Sequence, residues 1–431
     1  MKNNINTQPM PGFMELLPQQ QMVFNNMIKT TREVYELFGF RPIETPLLER
    51  SEVLLAKGSG ETDKQIYRFK KGDADISLRF DLTVPLARYV ANNQNDLVFP
   101  FKIGNIGKVY RGEKPQAGRF REFYQCDFDV IGREELPISY DAEIVAMIYQ
   151  MFTRLGLNNL KIKVNNRKLL NGFFRSLDIS NPRDILRIID KIEKIGKGKV
   201  EEELKGIGVS KDTVEKILNF LNIKEDVVKK LKNLDIEDEE FKKGIEELEY
   251  VQNQVEIFEI PKEAFEIDLT IARGLDYYTG TVYETILNNY PNFGSVCSGG
   301  RYDNLTSFYT SNSYPGVGCS IGLTRLFDCL LKNNLLDTKT ETDTQLLVIG
   351  MDGYENNATK LGTELRKEDI NTEVMNSLKN GLKYANRLKI PIVVIIGEQE
   401  AKSNSFTVKD MNSGQQSNLK YDALLKYLRA N

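Results

Sequence analysis

Hydrophobic and polar positions change texture several times along the chain. Residues 119–130, RFREFYQCDFDV, alternate with the period of two that a β-strand imposes. One face carries Arg119, Arg121, Phe123, Gln125, Asp127 and Asp129; the other carries Phe120, Glu122, Tyr124, Cys126, Phe128 and Val130 and reads as the buried side. Upstream, residues 22–38 repeat at helical spacing, with Val23, Met27, Val34, Leu37 and Phe38 suited to a core and Gly39 as the stop. Residues 77–84, SLRFDLTV, alternate again, placing Arg79, Asp81 and Thr83 opposite Leu78, Phe80 and Leu82. Pro85 then opens a helix from its first position.

Residues 141–155 read as helix and 160–165 as extended chain. From about 167 to 255 the text turns to short Lys/Glu-rich helices. Asn181-Pro182 caps one with Ile185, Ile188, Ile189 and Ile192 on a face, and Ser210 caps another with Val214, Ile217, Leu218 and Leu221. Strand-like text returns over 265–290, followed by GSVCSGGRYDNL and YPGVGCSIGLTRLFDCL. The glycines of GVGCSIG lack the acidic partner of a dinucleotide fingerprint and read as places of close approach to a sheet. A polar linker over 333–344 leads to a βαβαβ-like tail of alternating strands and helices, 342–431. The predicted layout is mixed α/β (α+β): a body formed by 1–166 and 256–332, a helical insertion over 167–255, and a small α/β domain over 342–431.

Charge and composition narrow the chemistry. The graded face over 119–129 runs from two guanidiniums through a ring and an amide to two carboxylates, over roughly 30 Å. It is either a solvated face laced with ion pairs or a site for ligands with phosphate at one end and a cation at the other. The adjoining loop, rich in Gly, Lys and Arg, favours the site. A net charge of −3 requires any nucleic-acid contact to be local, with Lys360, Arg366, Lys367, Lys379, Lys383 and Arg387 as candidates in the tail, or else as solvent-facing helix residues. Four cysteines without CxxC spacing read as reduced core thiols rather than zinc ligands. The polar N-terminus and the absence of a long apolar run predict a cytoplasmic protein with no membrane segment. The chain has no histidine, so the usual general base is missing and the chemistry falls to positioned charges or to the substrate itself.

These segments together resemble the histidyl-tRNA synthetases, class II aminoacyl-tRNA synthetases, over nearly the whole chain. RPIETPLLE resembles the class II dimer motif with Pro46 as its proline, VYRGEKP…GRFREF the second motif, and VGCSIGLTRL the third. ARGLDYYTG (272–280) and SGGRYD (298–303) resemble two peptides peculiar to the histidine enzymes. The resemblance implies an antiparallel catalytic sheet flanked by helices, an anticodon-binding tail, a homodimer, and ATP (with its Mg²⁺), L-histidine and tRNA-His as substrates, with no zinc.

It also implies roles for individual residues. Arg111 falls on the α-phosphate contact, Glu113 on the adenine amino group, Phe123 beneath adenine, Arg325 above it, and Arg119 on the γ-phosphate. Asp81, Thr83 and Gln125 fall on the α-amino contacts, and Arg273 on the catalytic cation. Asp129, Tyr278 and Tyr302 fall on the imidazole pocket, with Tyr277 and Arg273 also among the histidine contacts. Lys114 and Gln116 fall where the tRNA acceptor end would lie. Many bacterial members carry Glu where this chain has Asp81 and Asp129. RFDLTVP and REFYQCDFD are similar to the eukaryotic and archaeal form, PQAGR to the bacterial one. The alternative is the non-catalytic synthetase-like regulatory subunit of ATP phosphoribosyltransferase, against which Arg111, Arg273, Arg325 and the tail all speak.

Overall fold

The computed structural model describes residues 5–56, 63–114, 118–179, 181–272 and 278–430. Helix α1 (Pro18–Leu37) buries Met27, Val34 and Tyr35, whereas Leu37, expected in the core, is exposed. The first strands are β1 (Arg41–Pro42), β2 (Leu48–Arg50), β3 (Arg68–Lys71) and β4 (Ala74–Leu78), with α2 (Ser51–Leu55) between β2 and β3. Strand β4 stops at Leu78, and α3 (Thr83–Asn93) begins at Thr83. The alternation read over 77–84 is therefore a strand end, a turn and a helix start, and Pro85 is the third helical residue rather than the first. The Asp81 carboxylate explains the change: Oδ1 accepts the Val84 amide at 2.9 Å and so starts the helix.

The body is an eight-stranded sheet. Its remaining strands are β5 (Phe101–Tyr110), β6 (Glu122–Ile131), β7 (Leu160–Asn166), β8 (Phe265–Ile267), β9 (Thr281–Leu287), β10 (Cys297–Tyr302) and β11 (Gly316–Gly322). Their order is β1-β5-β6-β11-β10-β9-β7-β8, antiparallel except for the edge pairs β1–β5 and β7–β8. Helix α4 (Ser139–Arg154) covers one face, burying Ile144, Val145, Ile148, Met151 and Phe152. GVGCSIG is itself the strand β11. Its glycines matter because a Cβ on Gly318 would stand 2.2 Å from Asp129 Oδ1, and one on Gly316 2.4 Å from the Tyr302 ring. Cys126, Cys297 and Cys319 are buried and all four cysteines are free.

Among the described residues of 167–257 the helices are α5 (Arg167–Ser176), α6 (Arg183–Ile189), α7 (Ile192–Gly206), α8 (Lys211–Leu221), α9 (Val227–Lys232) and α10 (Glu239–Ile257). Ser210 caps α8 as read from the sequence, its side chain accepting from the Thr213 amide. Ile192 begins α7 rather than extending the α6 face. Helices α5 and α10 lie unusually close, because a Cβ on Gly244 would stand 2.6 Å from the Leu169 amide nitrogen. Asp238 caps α10 and takes both Arg175 Nε and NH2 at 2.8 Å. The Phe173 and Phe220 rings stack at 3.8 Å.

After α11 (Leu323–Lys332), the chain forms a second sheet. Its strands are β12 (Leu346–Gly350), β13 (Thr372–Met375), β14 (Ile392–Ile396), β15 (Phe406–Asp410) and β16 (Gln416–Leu419), in the order β13-β12-β14-β15-β16. Its helices are α12 (Glu355–Lys367), α13 (Leu378–Leu388), α14 (Glu398–Ser403) and α15 (Tyr421–Ala430). Leu346 and Val348 pack with α12 and α15, and Leu347 and Ile349 with α13, so the helices lie on opposite faces. By contact density the chain divides into two units: Met1–Glu15 with Asn26–Asn333, and Leu16–Asn25 with Asn334–Asn431. Among the described residues no helix is long and apolar enough to cross a membrane.

Candidate active site

Strand β6 carries the site. The register places Gly107, Gln125 and Gly322 in one row across β5, β6 and β11. Asn105, Asp127 and Ser320 form the next row, and Ile103, Asp129 and Gly318 the one after. These side chains share a face. Of the two readings of this face, a solvated one does not fit here, since Gln125, Asp127 and Asp129 are 8%, 3% and 4% exposed. Both faces of β6 are covered, and the graded face is a buried floor. Arg119 and Arg121 precede the strand rather than belong to it.

At the carboxylate end, Tyr302 donates its hydroxyl to Asp129 Oδ1 at 2.8 Å. Gly318 lies directly beneath, and Gly300, its partner on β10, lies beneath the Tyr278 ring, which a Cβ there would meet at 2.9 Å. Two glycines therefore make a shallow floor bounded by Asp129, Tyr302 and Tyr278. Burial pushes the Asp129 carboxyl up to about 7, against the Tyr302 hydrogen bond and with help from Asp81. Burial also raises Asp127 well above the carboxylate range, with the charges of Asp129 and Asp81 adding to it. Asp81 thus stands within electrostatic reach of both. Thr83 follows it as the first residue of α3. Three carboxyl groups within electrostatic reach, each raising the cost of ionising a neighbour, form a site that favours a positively charged ligand.

At the other end, Arg111 lies between two rings, its guanidinium 4.4 Å from the Phe80 centroid and 5.1 Å from that of Phe123. Its Nε donates to the Phe80 carbonyl at 3.2 Å. Arg119 reaches Glu113 at 3.2 Å, and Arg121 Nε donates to the Glu113 carbonyl at 3.0 Å, holding the loop entrance. Arg325, on α11, donates to the Phe293 carbonyl and passes Gly118, where a Cβ would meet its side chain at 3.5 Å. Helix α11 is pinned to β6 by the Tyr124 amide, which donates to Thr324 Oγ1 at 2.8 Å. Arg111, Glu113, Arg119, Phe123 and Arg325 thus gather around the loop after β5, and Asp81, Gln125, Asp129, Tyr278 and Tyr302 around the carboxylate floor, with Thr83 two residues past Asp81 at the start of α3. Arg273, Tyr277 and Gln116 lie outside the described residues.

Sequence reasoning missed three groups. Arg301 of β10 points away from Tyr302, to the other face of the sheet. There it binds Asp141 through Nε and NH2 and donates to the Leu136 and Pro137 carbonyls at 3.0 and 3.2 Å. Alternation through SGGRYD would have placed it there. Arg79 is 1% exposed; its Nε donates to the Lys108 carbonyl at 2.7 Å and NH1 to that of Thr45. Ser320 is the third; nothing in GVGCSIG announced it.

Residues 12–326 match the family model of histidyl-tRNA synthetase, and residues 344–431 that of the anticodon binding domain. The chain belongs to the histidyl-tRNA synthetase family. It is 52% identical over 427 residues, 97% of each chain, to the histidine–tRNA ligase of Clostridium tetani. Its structure superposes on the histidyl-tRNA synthetase of Nostoc sp. PCC 7120 with TM-score 0.90 and 41% identity, covering 99% of both chains. A Bacillus halodurans protein titled as an ATP phosphoribosyltransferase regulatory subunit/histidyl-tRNA synthetase matches with TM-score 0.75 at 22% identity. It covers 89% of this chain and 97% of its own, and shares the fold. Within the family's tail, the candidate RNA-binding cations do not form one patch. Lys360, Arg366 and Lys367 are on α12, while Lys379, Lys383 and Arg387 are on α13 across the sheet, and Arg366 is tied to the Thr372 carbonyl at 2.8 Å.

Proposed function

We propose that the chain activates L-histidine with ATP to histidyl-adenylate and pyrophosphate, then transfers the histidyl group to the terminal ribose of tRNA-His. The observation that carries the choice of amino acid is the Tyr302–Asp129 pair over two glycines, a buried acceptor shaped for a ring N–H. An apolar side chain would leave that acceptor unpaired, which supports strong discrimination. Asp129, Tyr278 and Tyr302 hold the imidazole, Tyr277 serves as a further histidine contact, and Asp81, Thr83 and Gln125 take the α-ammonium. Phe123 and Arg325 bracket adenine, Glu113 reads its amino group, and Arg119 meets the γ-phosphate.

The first step joins two anions. A histidine carboxylate oxygen attacks the α-phosphorus in line, the new O–P bond forms, and the bond to the bridging oxygen breaks to release pyrophosphate. Arg111 and Arg273 offset the repulsion and the charge gathering on the α-phosphate, and Mg²⁺ arrives as part of the ATP substrate. The nucleophile is already a carboxylate, so neither a histidine base nor a zinc-bound nucleophile is required. In the second step a ribose hydroxyl attacks the anhydride carbonyl and AMP leaves, its phosphate oxygen taking the hydroxyl proton. Lys114 and Gln116 meet the acceptor end, and the C-terminal domain meets the anticodon.

The chain acts as a cytoplasmic homodimer in this reading, and the half-exposed Leu47 and Leu48 of the RPIETPLLE segment support a partner there. The alternative is the regulatory subunit. Arg111, Arg325 and the match of residues 344–431 to the anticodon binding domain favour the enzyme. Charging of tRNA-His by the purified chain tests the choice. Histidine esterification that is lost in Arg111→Ala and in Arg273→Ala is expected. Absence of charging by the folded, dimeric wild-type chain would favour the regulator.

A further inference from the structure

Asp127 and Ser320 have no part in the reading above. Asp127 sits between Gln125 and Asp129 on the buried face of β6, and Ser320 is its register partner on β11. The Ser320 hydroxyl donates to Asp127 Oδ1, and Gln125 Nε2 donates to Ser320 Oγ at 2.7 Å. The three groups form a chain with a direction. The serine commits its one proton to Asp127. Its oxygen then offers only lone pairs, and only the NH₂ end of the Gln125 amide can meet it.

An amide has two ends of nearly the same size, and its surroundings decide which end faces which neighbour. Here the carboxylate decides it through the serine. Gln125 Oε1 is turned away from β11 and is buried without a hydrogen-bond partner. Beside it, across from Asp127 on β5, Asn105 is 1% exposed with neither amide atom partnered. This stretch of the sheet carries more hydrogen-bonding capacity than the protein itself uses. A buried, bare carbonyl oxygen among carboxylates matches a donor-only cation, and an ammonium group is that donor.

We propose that Asp127 and Ser320 are positioning residues that lock the Gln125 amide with its carbonyl oxygen toward the α-ammonium group of the amino-acid substrate. This rests on the reading of Gln125 as an ammonium contact. Without the lock, the amide is free to present its NH₂ end to another donor, and that part of the binding is lost. The relay acts on the amino group alone: imidazole recognition belongs to Asp129 and the tyrosines, and ATP lies at the far end of β6.

The test is Ser320→Ala, which keeps the strand and removes the hydroxyl. Histidine-dependent ATP–pyrophosphate exchange gives KM for histidine and for ATP. Inhibition by 3-(imidazol-4-yl)propionate, which is histidine without its amino group, gives a Ki for the remainder of the ligand. Ser320→Ala is expected to raise KM for histidine about tenfold, the worth of one hydrogen bond to a charged group. KM for ATP and the Ki of the deaminated analogue stay unchanged, while the melting temperature falls only modestly and the protein remains folded. Ser320→Thr, which restores a hydroxyl, recovers histidine binding. In a Gln125→Ala background Ser320→Ala has no further effect. An equal loss for histidine and the deaminated analogue would make the serine merely structural and overturn the proposal. So would an unchanged KM in Ser320→Ala when Gln125→Ala raises it. If Gln125→Ala itself leaves KM for histidine unchanged, the ammonium contact is wrong and the relay falls with it.

Discussion

Replacing Asp129 by Asn should make the unliganded protein more stable at pH 8 while crippling its use of histidine. Burial holds the Asp129 carboxyl at about 7 instead of the ordinary 3.8, with Tyr302 opposing the shift and Asp81 reinforcing it. The folded state thus binds this proton more tightly than the unfolded chain. The stability it contributes is complete below about pH 4 and is lost as pH rises through about 7. Each unit corresponds to about 1.4 kcal/mol, so the full penalty for ionised Asp129 is on the order of 4 kcal/mol, of which roughly 2 falls between pH 5 and 7. Asparagine never ionises, and its carbonyl oxygen can still accept from Tyr302. The loss of charge also relieves Asp127, whose carboxyl is raised in part by Asp129.

The variant should therefore gain on wild type as pH rises, by about 3 kcal/mol between pH 5 and 8, in denaturant unfolding without histidine. The chain has no tryptophan, so circular dichroism is the suitable probe. KM for histidine in the exchange assay should rise at least a hundredfold, with KM for ATP nearly unchanged, because a charge-assisted bond to the imidazole is gone. A stability difference that is the same at both pH values would refute the assignment of a raised carboxyl. A variant that is both more stable and normal toward histidine would remove Asp129 from the pocket.

Tyr278→Phe should raise KM for histidine far more than KM for ATP; an equal effect on both would take the hydroxyl out of the side-chain pocket. Gly318→Ala should cost both folding stability and histidine affinity, because the new methyl would stand 2.2 Å from Asp129 Oδ1 and 2.6 Å from the Phe128 carbonyl oxygen. Normal KM for histidine in a folded Gly318→Ala protein would mean that Asp129 does not need its place. Arg301→Ala should destabilise by about 3–5 kcal/mol, since it leaves Asp141, which is fully buried, without its counter-charge. Denaturant unfolding reads that loss, and Arg301→Ala with Asp141→Leu should recover much of it.

The sequence made the frame legible where local pattern and tertiary environment agree. The alternation through β6 survives because both neighbouring strands hold it in register, and Ser210 caps α8 because its β-region backbone and hydroxyl suit nothing else. The errors fall where one residue serves two purposes. Asp81 reads as a strand residue, yet its carboxylate starts α3, so the alternation of SLRFDLTV ends at Leu78. Leu37 has the right spacing for a core and is exposed, its place taken by Val34 and Tyr35. Strand β16, Gln416–Leu419, has little apolar pattern because it forms an edge whose side chains are nearly all in solvent.

Within the site, the motifs pointed to single residues, and the structure adds their connections. Asp127 was visible on the right face but had no task until Ser320 appeared opposite it, 193 positions away in the chain. Arg301 and Asp141 likewise meet across 160 positions. Such pairings depend on strand order, which alternation alone does not encode. The glycines of β10 and β11 make the same point: their need is set by Tyr278, Tyr302 and Asp129 on neighbouring elements rather than by any local turn.

The central claim is that the buried Asp129–Tyr302 acceptor selects histidine for activation by ATP. Amino-acid-dependent ATP–pyrophosphate exchange by the purified wild-type chain, run separately with each of the twenty amino acids, tests it most directly. Exchange with L-histidine alone is expected. Exchange with another amino acid at a comparable rate, or none with histidine, would contradict it.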